Sequence, residues 1–467
     1  MTDPIDVEAL AVEVANSNFG DERLNKRLKS LVSVLAAAPD VSLPRSFDSA
    51  GLEGAYRFWS NPRVTQDDIL GPHVEATRAR CDAESEFLVV HDTTDFSYRF
   101  EGSREGLGRA QLTNEKSKQM FFAHFSLAVA ADGTRRPLGV VALKTWARGT
   151  SRSGTEHLRW ETQARLTAER LKNNEKAIHV MDREADDYEM LVALTQGHHR
   201  FIVRCQYNRW LDEEPETKVR DVFAGLVSVV ARTIEITLRK PHRVKARAKG
   251  YPARAPRMAT LNVSAARVAL KKPETKRKHP TPTVLPPSLT VNMVRVWEPN
   301  PPAGEEPVEW ILYTTDPIDT AEQQLAVVDH YRARWIIEEY NKAIKTGCNF
   351  ERRQLQDYES LVNLLATLAP IAYRLLLIRN EARRDPEAPG LSVVSADHLD
   401  VLRAKGRLRL SESPTTREVY LAIAALGGHI KYAGDPGWLT LSRGFEKLET
   451  LTEGWLAAKL QLRSDQR

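Results

Sequence analysis

Leu24, Leu28, Leu31 and Leu35 recur at intervals of three and four residues, with Asp21 ahead of them and Lys26 and Lys29 off their stripe. This spacing predicts an amphipathic helix that starts at an aspartate cap and is closed by Pro39 and Pro44. From about residue 70 the pattern changes to short apolar runs alternating with helical segments. Phe87-Leu-Val-Val90 runs into His91-Asp92, and Ala177-Ile-His-Val-Met181 runs into Asp182. Each predicts a buried strand with an aspartate at its C-terminal end, where α/β sheets commonly carry functional groups. Phe121 to Ala130 and Pro137 to Thr145 flank Ala131-Asp-Gly-Thr134, which reads as a hairpin turn. Residues 155–173 read as a helix and Arg200-Phe-Ile-Val-Arg204 as a further strand.

Residues from about 205 to 310 interrupt this alternation. They are rich in Pro, Val and Thr and read as short strands joined by exposed loops. An apolar strand resumes near Leu312, and the chain is mostly helical after about residue 355, with an irregular stretch at 385–391. The most apolar run, Leu361 to Ile378, is broken by Asn363, Pro370 and Arg374, so it reads as a buried or interface helix rather than a membrane span.

Between the resumed strand and that run lies Tyr331-Arg-Ala-Arg-Trp-Ile-Ile-Glu-Glu-Tyr-Asn-Lys-Ala-Ile-Lys-Thr-Gly347. As one helix it places Tyr331, Arg334, Glu338, Lys342 and Lys345 within a sector of roughly 80°. Ile336, Ile337, Tyr340, Ala343 and Ile344 occupy the opposite side. One face packs and the other presents an acid among bases, either as a solvated helix with ion pairs or as a site where an acid holds a metal and bases hold phosphates.

Composition narrows the class. The chain has 467 residues, 42% hydrophobic and 28% charged, with a net charge of +5. That is a globular protein large enough for several domains. The positive charge is unevenly placed: from Arg239 to Lys278 there are fourteen Lys or Arg against the single acid Glu274. Such a segment is a solvated loop or a phosphate-tracking surface. Cys81, Cys205 and Cys348 have no ligand-like spacing, which argues against a disulfide framework or structural zinc and favours a reducing compartment. The acidic start lacks an apolar targeting core, so a cytoplasmic, non-membrane protein is expected.

Taken singly, Asp92 and Asp182 fit turn or cap residues as well as ligands. With Glu338 they supply three carboxylates, the hard oxygen donors that divalent ions need for phosphoryl transfer. The residues His91-Asp-Thr-Thr-Asp-Phe-Ser-Tyr98, Asp182-Arg-Glu-Ala-Asp186 and the series Tyr331, Arg334, Glu338, Lys345 resemble the motifs of the insertion-sequence-four family of DDE transposases. The last keeps every interval of that family's Y-(2)-R-(3)-E-(6)-K signature. Glu53-Gly-Ala-Tyr-Arg-Phe58, Asn61-Pro62, Trp310 and Leu421-Ala-Ile-Ala-Ala-Leu-Gly-Gly428 extend the likeness nearly end to end.

The resemblance implies an α/β fold: an RNase H-like catalytic domain over residues 71–370, interrupted by a β-rich basic insertion at about 205–310. It would be flanked by a helical DNA-binding domain at 1–70 and a helical dimerisation domain at 371–467. It assigns metal ligation and catalysis to Asp92, Asp182 and Glu338, with two Mg2+ ions, replaceable by Mn2+. It assigns DNA contact to Tyr331, Arg334 and Lys345, and base stacking to Trp310. Lys342, by its helical phase alone, and Arg204 and Arg57 are further candidates for DNA contact. The implied reaction is cut-and-paste transposition through a DNA hairpin by a homodimer that joins double-stranded transposon ends to target DNA. A transposition-defective DNA-binding repressor and an RNase H-like structure-specific nuclease are the alternatives.

Overall fold

The computed structural model describes residues 10, 13–14, 16–99, 104–109, 118–147, 156–172, 175–213, 216–223, 226, 228, 230–236, 254–274, 284–305, 307–430 and 434–465. In chain order its main elements begin with helices α1 (Glu22–Ala37), α2 (Ser49–Trp59) and α3 (Gln66–Asp82). Strands β1 (Phe87–Arg99), β2 (Gly108–Arg109), β3 (Lys118–Ala130) and β4 (Pro137–Trp146) follow. Then come α4 (Glu156–Arg170), β5 (Ala177–Met181), α5 (Tyr188–Gln196) and β6 (Arg200–Arg204). Strands β7 (Val230–Ile236), β8 (Arg257–Lys271), β9 (Ser288–Trp297) and β10 (Glu309–Thr314) complete the strand set. The C-terminal part is helical: α6 (Ala321–Ala333), α7 (Ile336–Lys342), α8 (Tyr358–Arg384), α9 (Ala396–Lys405), α10 (Thr416–Leu426) and α11 (Trp438–Asp465).

The chain forms two compact units. One comprises Met1–Ser153, Leu166–Asn173 and Trp335–Arg467, and the other Gly154–Arg165 and Asn174–Arg334. In the first unit β1 and β4 pair antiparallel with opposite edges of β3. The expected hairpin joins β3 to β4, with Gly133 at φ +86° in its turn. Helix α3 lies close on β4: Gly139 has φ +141°, and a Cβ there would collide with the Thr77 side chain, so the approach requires glycine.

The core of this unit is built around α8, which starts at the Asp357 cap and keeps Leu361 through Ile378 buried. It is the one helix, among the described residues, long and apolar enough to cross a membrane, and its apolar window is wholly buried in the unit. Two of the three residues that interrupt the apolar run have polar partners inside. Asn363 donates to the carbonyls of Trp59 and Val64, at 2.9 and 3.0 Å, docking the end of α2. Arg374 meets Glu449 of α11 at 2.8 Å. Pro370 follows Ala369, whose carbonyl accepts from the Tyr340 hydroxyl at 3.1 Å. The expected domain boundary at residue 370 falls inside this continuous helix. The leucine stripe of α1 is buried as its spacing predicts: Leu28, Leu31 and Leu35 are fully enclosed, while Lys26 and Lys29 face solvent.

In the second unit β5 and β6 pair parallel, and β6, β10, β9, β8 and β7 follow as an antiparallel series. The interruption expected at 205–310 is therefore strand-rich. Its described strands are longer than expected, β8 having 15 residues. Residues 237–253 and 275–283, including most of the basic stretch, lie outside the described residues.

Candidate active site

In the first unit, β1 does not end at Asp92. It continues to Arg99, and Asp92 sits mid-strand opposite Phe125 of β3. The expected placement at a C-terminal strand end is thus corrected: β-branched Thr93 and Thr94 fit the pleat, and pairing along β3 carries the strand onward.

Helix α7 packs on this strand pair. Tyr340 places its ring 5.1 Å from Phe125 at 75°, and Ile337, Ala343 and Ile344 are fully buried, as expected for the apolar face. From the same helix, Asn341 Nδ2 donates to Asp92 Oδ2 at 2.8 Å. Glu338, half-buried, stands three residues earlier, so it lies one turn from the group that holds Asp92. Asp92 and the Glu338 helix are therefore brought together.

Behind Asp92 the alternating side chains form a buried polar layer. Thr167 donates to Ser126 Oγ at 3.0 Å, and Ser126 stands 3.0 Å from His91 Nδ1. Thr93 Oγ1 lies 2.9 Å from His124 Nδ1. Burial, with Lys144 nearby, pushes the His124 imidazole down to about 3, so it is neutral at physiological pH.

The signature segment is not one helix. α6 ends at Ala333, a turn covers Arg334 and Trp335, and α7 begins at Ile336. Residues 343–347 widen into a π turn closed by Cys348 N–H on the Ala343 carbonyl at 2.8 Å. The single expected stripe is accordingly broken. Tyr331 is buried rather than on a polar face, with its ring 5.8 Å from half-buried Trp310 of β10, both in the second unit. Arg334 is half-buried in the same unit. Lys342 is exposed and pairs with Glu339 at 3.0 Å, not with Glu338. Lys345, in the π turn, reaches Asp95 of β1 at 4.0 Å and lies 5.5 Å from the Phe96 ring centre.

Asp182 belongs to the second unit. It directly follows β5, as expected, and caps a short 3-10 turn by accepting the Glu184 N–H at 2.8 Å. Asp186, to which the sequence alone gave no role, is fully buried. It accepts the N–H groups of Gln206 and Tyr207 at 2.6 and 2.9 Å and pairs with Arg209 at 2.8 Å. This ties the segment after β6 to the turn after β5. Arg204 Nη2 reaches the Glu309 carbonyl at 3.4 Å, beside Trp310. Arg57 lies on the exposed face of α2 and pairs with Glu53 at 2.5 Å. In the basic stretch, Arg257 pairs with Glu298 and Glu305, Arg267 donates to Asn292 and Lys271 meets Glu216 at 4.0 Å. These bases brace β8 in addition to carrying charge.

The donor chemistry fits a hard divalent ion: carboxylate oxygens at Asp92 and Glu338, and a buried Oδ1 without a hydrogen-bond partner on Asn341, the amide that holds Asp92. Within either unit, no three His, Cys, Asp or Glu side chains among the described residues gather into a complete ligand set. Asn341 is the residue that sequence reasoning missed. Its signal was available, three positions after Glu338 and so on the same helix face.

Comparison with known families gives two matches: transposase DNA-binding over residues 7–64, and transposase DDE domain over residues 89–374. The first span contains Arg57, and the second contains Asp92, Asp182, Trp310 and Glu338. The second match covers more than half of the chain, so this protein belongs to the DDE transposases.

Proposed function

We propose that this transposase works by cut-and-paste: it binds transposon ends, pairs them in a homodimer, cleaves through a DNA hairpin and joins the 3′-OH ends to target DNA. The observation that supports this reading is the Asn341–Asp92 hydrogen bond, because Asn341 stands one helical turn after Glu338. By the resemblance to the insertion-sequence-four type, Asp182 would be the third carboxylate of an RNase H-like site. The Y-R-E-K intervals support that finer assignment.

Asp92, Asp182 and Glu338 would hold the Mg2+ or Mn2+ ions, two per site. Bound there, a divalent ion supplies a water of lowered pKa and charge to offset the leaving oxygen. The chain's own groups do the rest. Trp310 offers an indole face on which a displaced base stacks, with Tyr331 behind it. Arg334, Lys345, Lys342, Arg204 and Arg57 grip phosphates and position the end. Hydrolysis of one strand frees a 3′-OH, which attacks the opposite strand to close a hairpin. A second hydrolysis opens it, and the 3′-OH then attacks target DNA. All four steps are in-line phosphoryl transfers, so one site can serve each in turn. Two ends must be joined, which calls for a symmetric dimer.

Incubating the protein with a plasmid carrying two selected ends and magnesium tests the proposal. Excised fragment with hairpin ends, followed by strand-transfer product, is expected. DNA binding without cleavage would favour a repressor. Cleavage of branched or hybrid substrates without paired ends would favour a structure-specific nuclease.

A further inference from the structure

We infer that Asn341 is a positioning residue for the ion site: it clamps one oxygen of Asp92 and offers its own amide oxygen to the ion's hydration shell. The inference rests on the proposed carboxylate site. A carboxylate only accepts hydrogen bonds, so the amide must turn Nδ2 toward Asp92 Oδ2, 2.8 Å away. That leaves Asn341 Oδ1 directed elsewhere. It is buried and has no hydrogen-bond partner among the described groups, although Asn341 is only 9% exposed. Buried acceptors are nearly always satisfied. An oxygen one turn from Glu338 and next to Asp92 is suited to accept from a water in the shell of a bound cation.

Both ends of the clamp are rigid. Asp92 lies mid-strand between paired residues, and Tyr340 locks the neighbouring helical position through its ring on Phe125 and its hydroxyl on Ala369. The Asp92 carboxylate is thus fixed before an ion arrives, as groups behind metal ligands commonly do. Asn341 lies outside the four signature positions, so this role does not follow from the Y-R-E-K intervals.

The test is Mn2+ binding by the full-length protein, followed by the electron paramagnetic resonance signal of free Mn2+, alongside the Mg2+ dependence of end nicking. Asn341→Ala should weaken Mn2+ binding about tenfold or more. The Mg2+ concentration for half-maximal nicking should rise in parallel, and excess Mg2+ should restore the rate. Gel-shift affinity for end DNA and the thermal midpoint should be unchanged. Asn341→Ser, one bond too short to reach Asp92, should behave the same way and serves where alanine loosens the helix. Mn2+ affinity within twofold of wild type in both variants, while Asp92→Asn abolishes binding, would overturn the inference and leave the carboxylate site standing. Unchanged Mn2+ binding by Asp92→Asn would instead defeat the site itself, and the role of Asn341 with it.

Discussion

The Trp310 ring rests against Tyr331 and is half-buried, so part of the indole packs within the protein and part is left for another partner. Beyond the area it buries, the ring pair is worth about 0.5–1.5 kcal/mol. Loss of base stacking is worth roughly 1–3 kcal/mol. Trp310→Ala should therefore nick end DNA at close to the wild-type rate while forming hairpins about ten- to a hundredfold more slowly. Quench-flow gels that resolve the two products check this, and equal loss at both steps would count against base stacking. At this scale the sequence was legible in residue type more than in placement. Asp92, Asp182 and Glu338 were identifiable as carboxylates in a family pattern, yet Asp92 was expected at a strand end. The apolar run stops at Val90, and only pairing with β3 shows the strand continuing through Thr93-Thr94-Asp95. Asn341 passed unnoticed because its partner lies 249 positions away.

Helices α8, α9 and α11 are joined by a buried cluster that offers a stability test. Glu449 meets Arg374 at 2.8 Å and His398 Nε2 at 3.2 Å. The amide of Ser395 donates to His398 Nδ1, which leaves Nε2 facing Glu449. Burial alone would raise the Glu449 carboxyl, but the His398 hydrogen bond and the Arg374 charge outweigh it and hold it at about 2, against an ordinary 4.5. Because the folded value is depressed, this group's stabilisation is complete above pH 4.5 and is lost as the pH falls toward 2. Glu449→Gln should cost roughly 3–5 kcal/mol, since it removes the buried carboxylate that pairs with both Arg374 and His398. It should also flatten the acid limb of stability, which urea unfolding across that pH range measures.

Element identity was largely readable from periodicity, as α1, β5, β6 and the 131–134 hairpin show. The signature segment was not. A turn breaks it at 334–335, and its π turn at 343–347 is held by tertiary contacts, such as Ser442 on the Gly347 carbonyl at 2.8 Å and the close approach of Leu375 to Gly347. A fixed 100° step therefore misplaces Tyr331.

Across the whole molecule, DNA affinity divides between charge and base recognition. Arg257, Arg267 and Lys271 have partners within their own unit, so the bases to neutralise are Arg239, Lys240, Arg243, Lys245, Arg247 and Lys249. Replacing them with glutamine should reduce the slope of log affinity against log salt by about 0.9 for each phosphate that they neutralise in the wild-type complex. A slope equal to wild type would make that stretch a solvated loop. Residues far apart in sequence share the first unit, and α8 runs through residue 370 without a break, because burial rather than chain position decides where a unit ends. The most direct test of the proposed carboxylate site is nicking of one end duplex in magnesium by wild type, Asp92→Asn, Asp182→Asn and Glu338→Gln. Each variant should bind the duplex as tightly as wild type and produce no nick. Normal cleavage by any of the three would remove that carboxylate from the site and contradict the proposed mechanism.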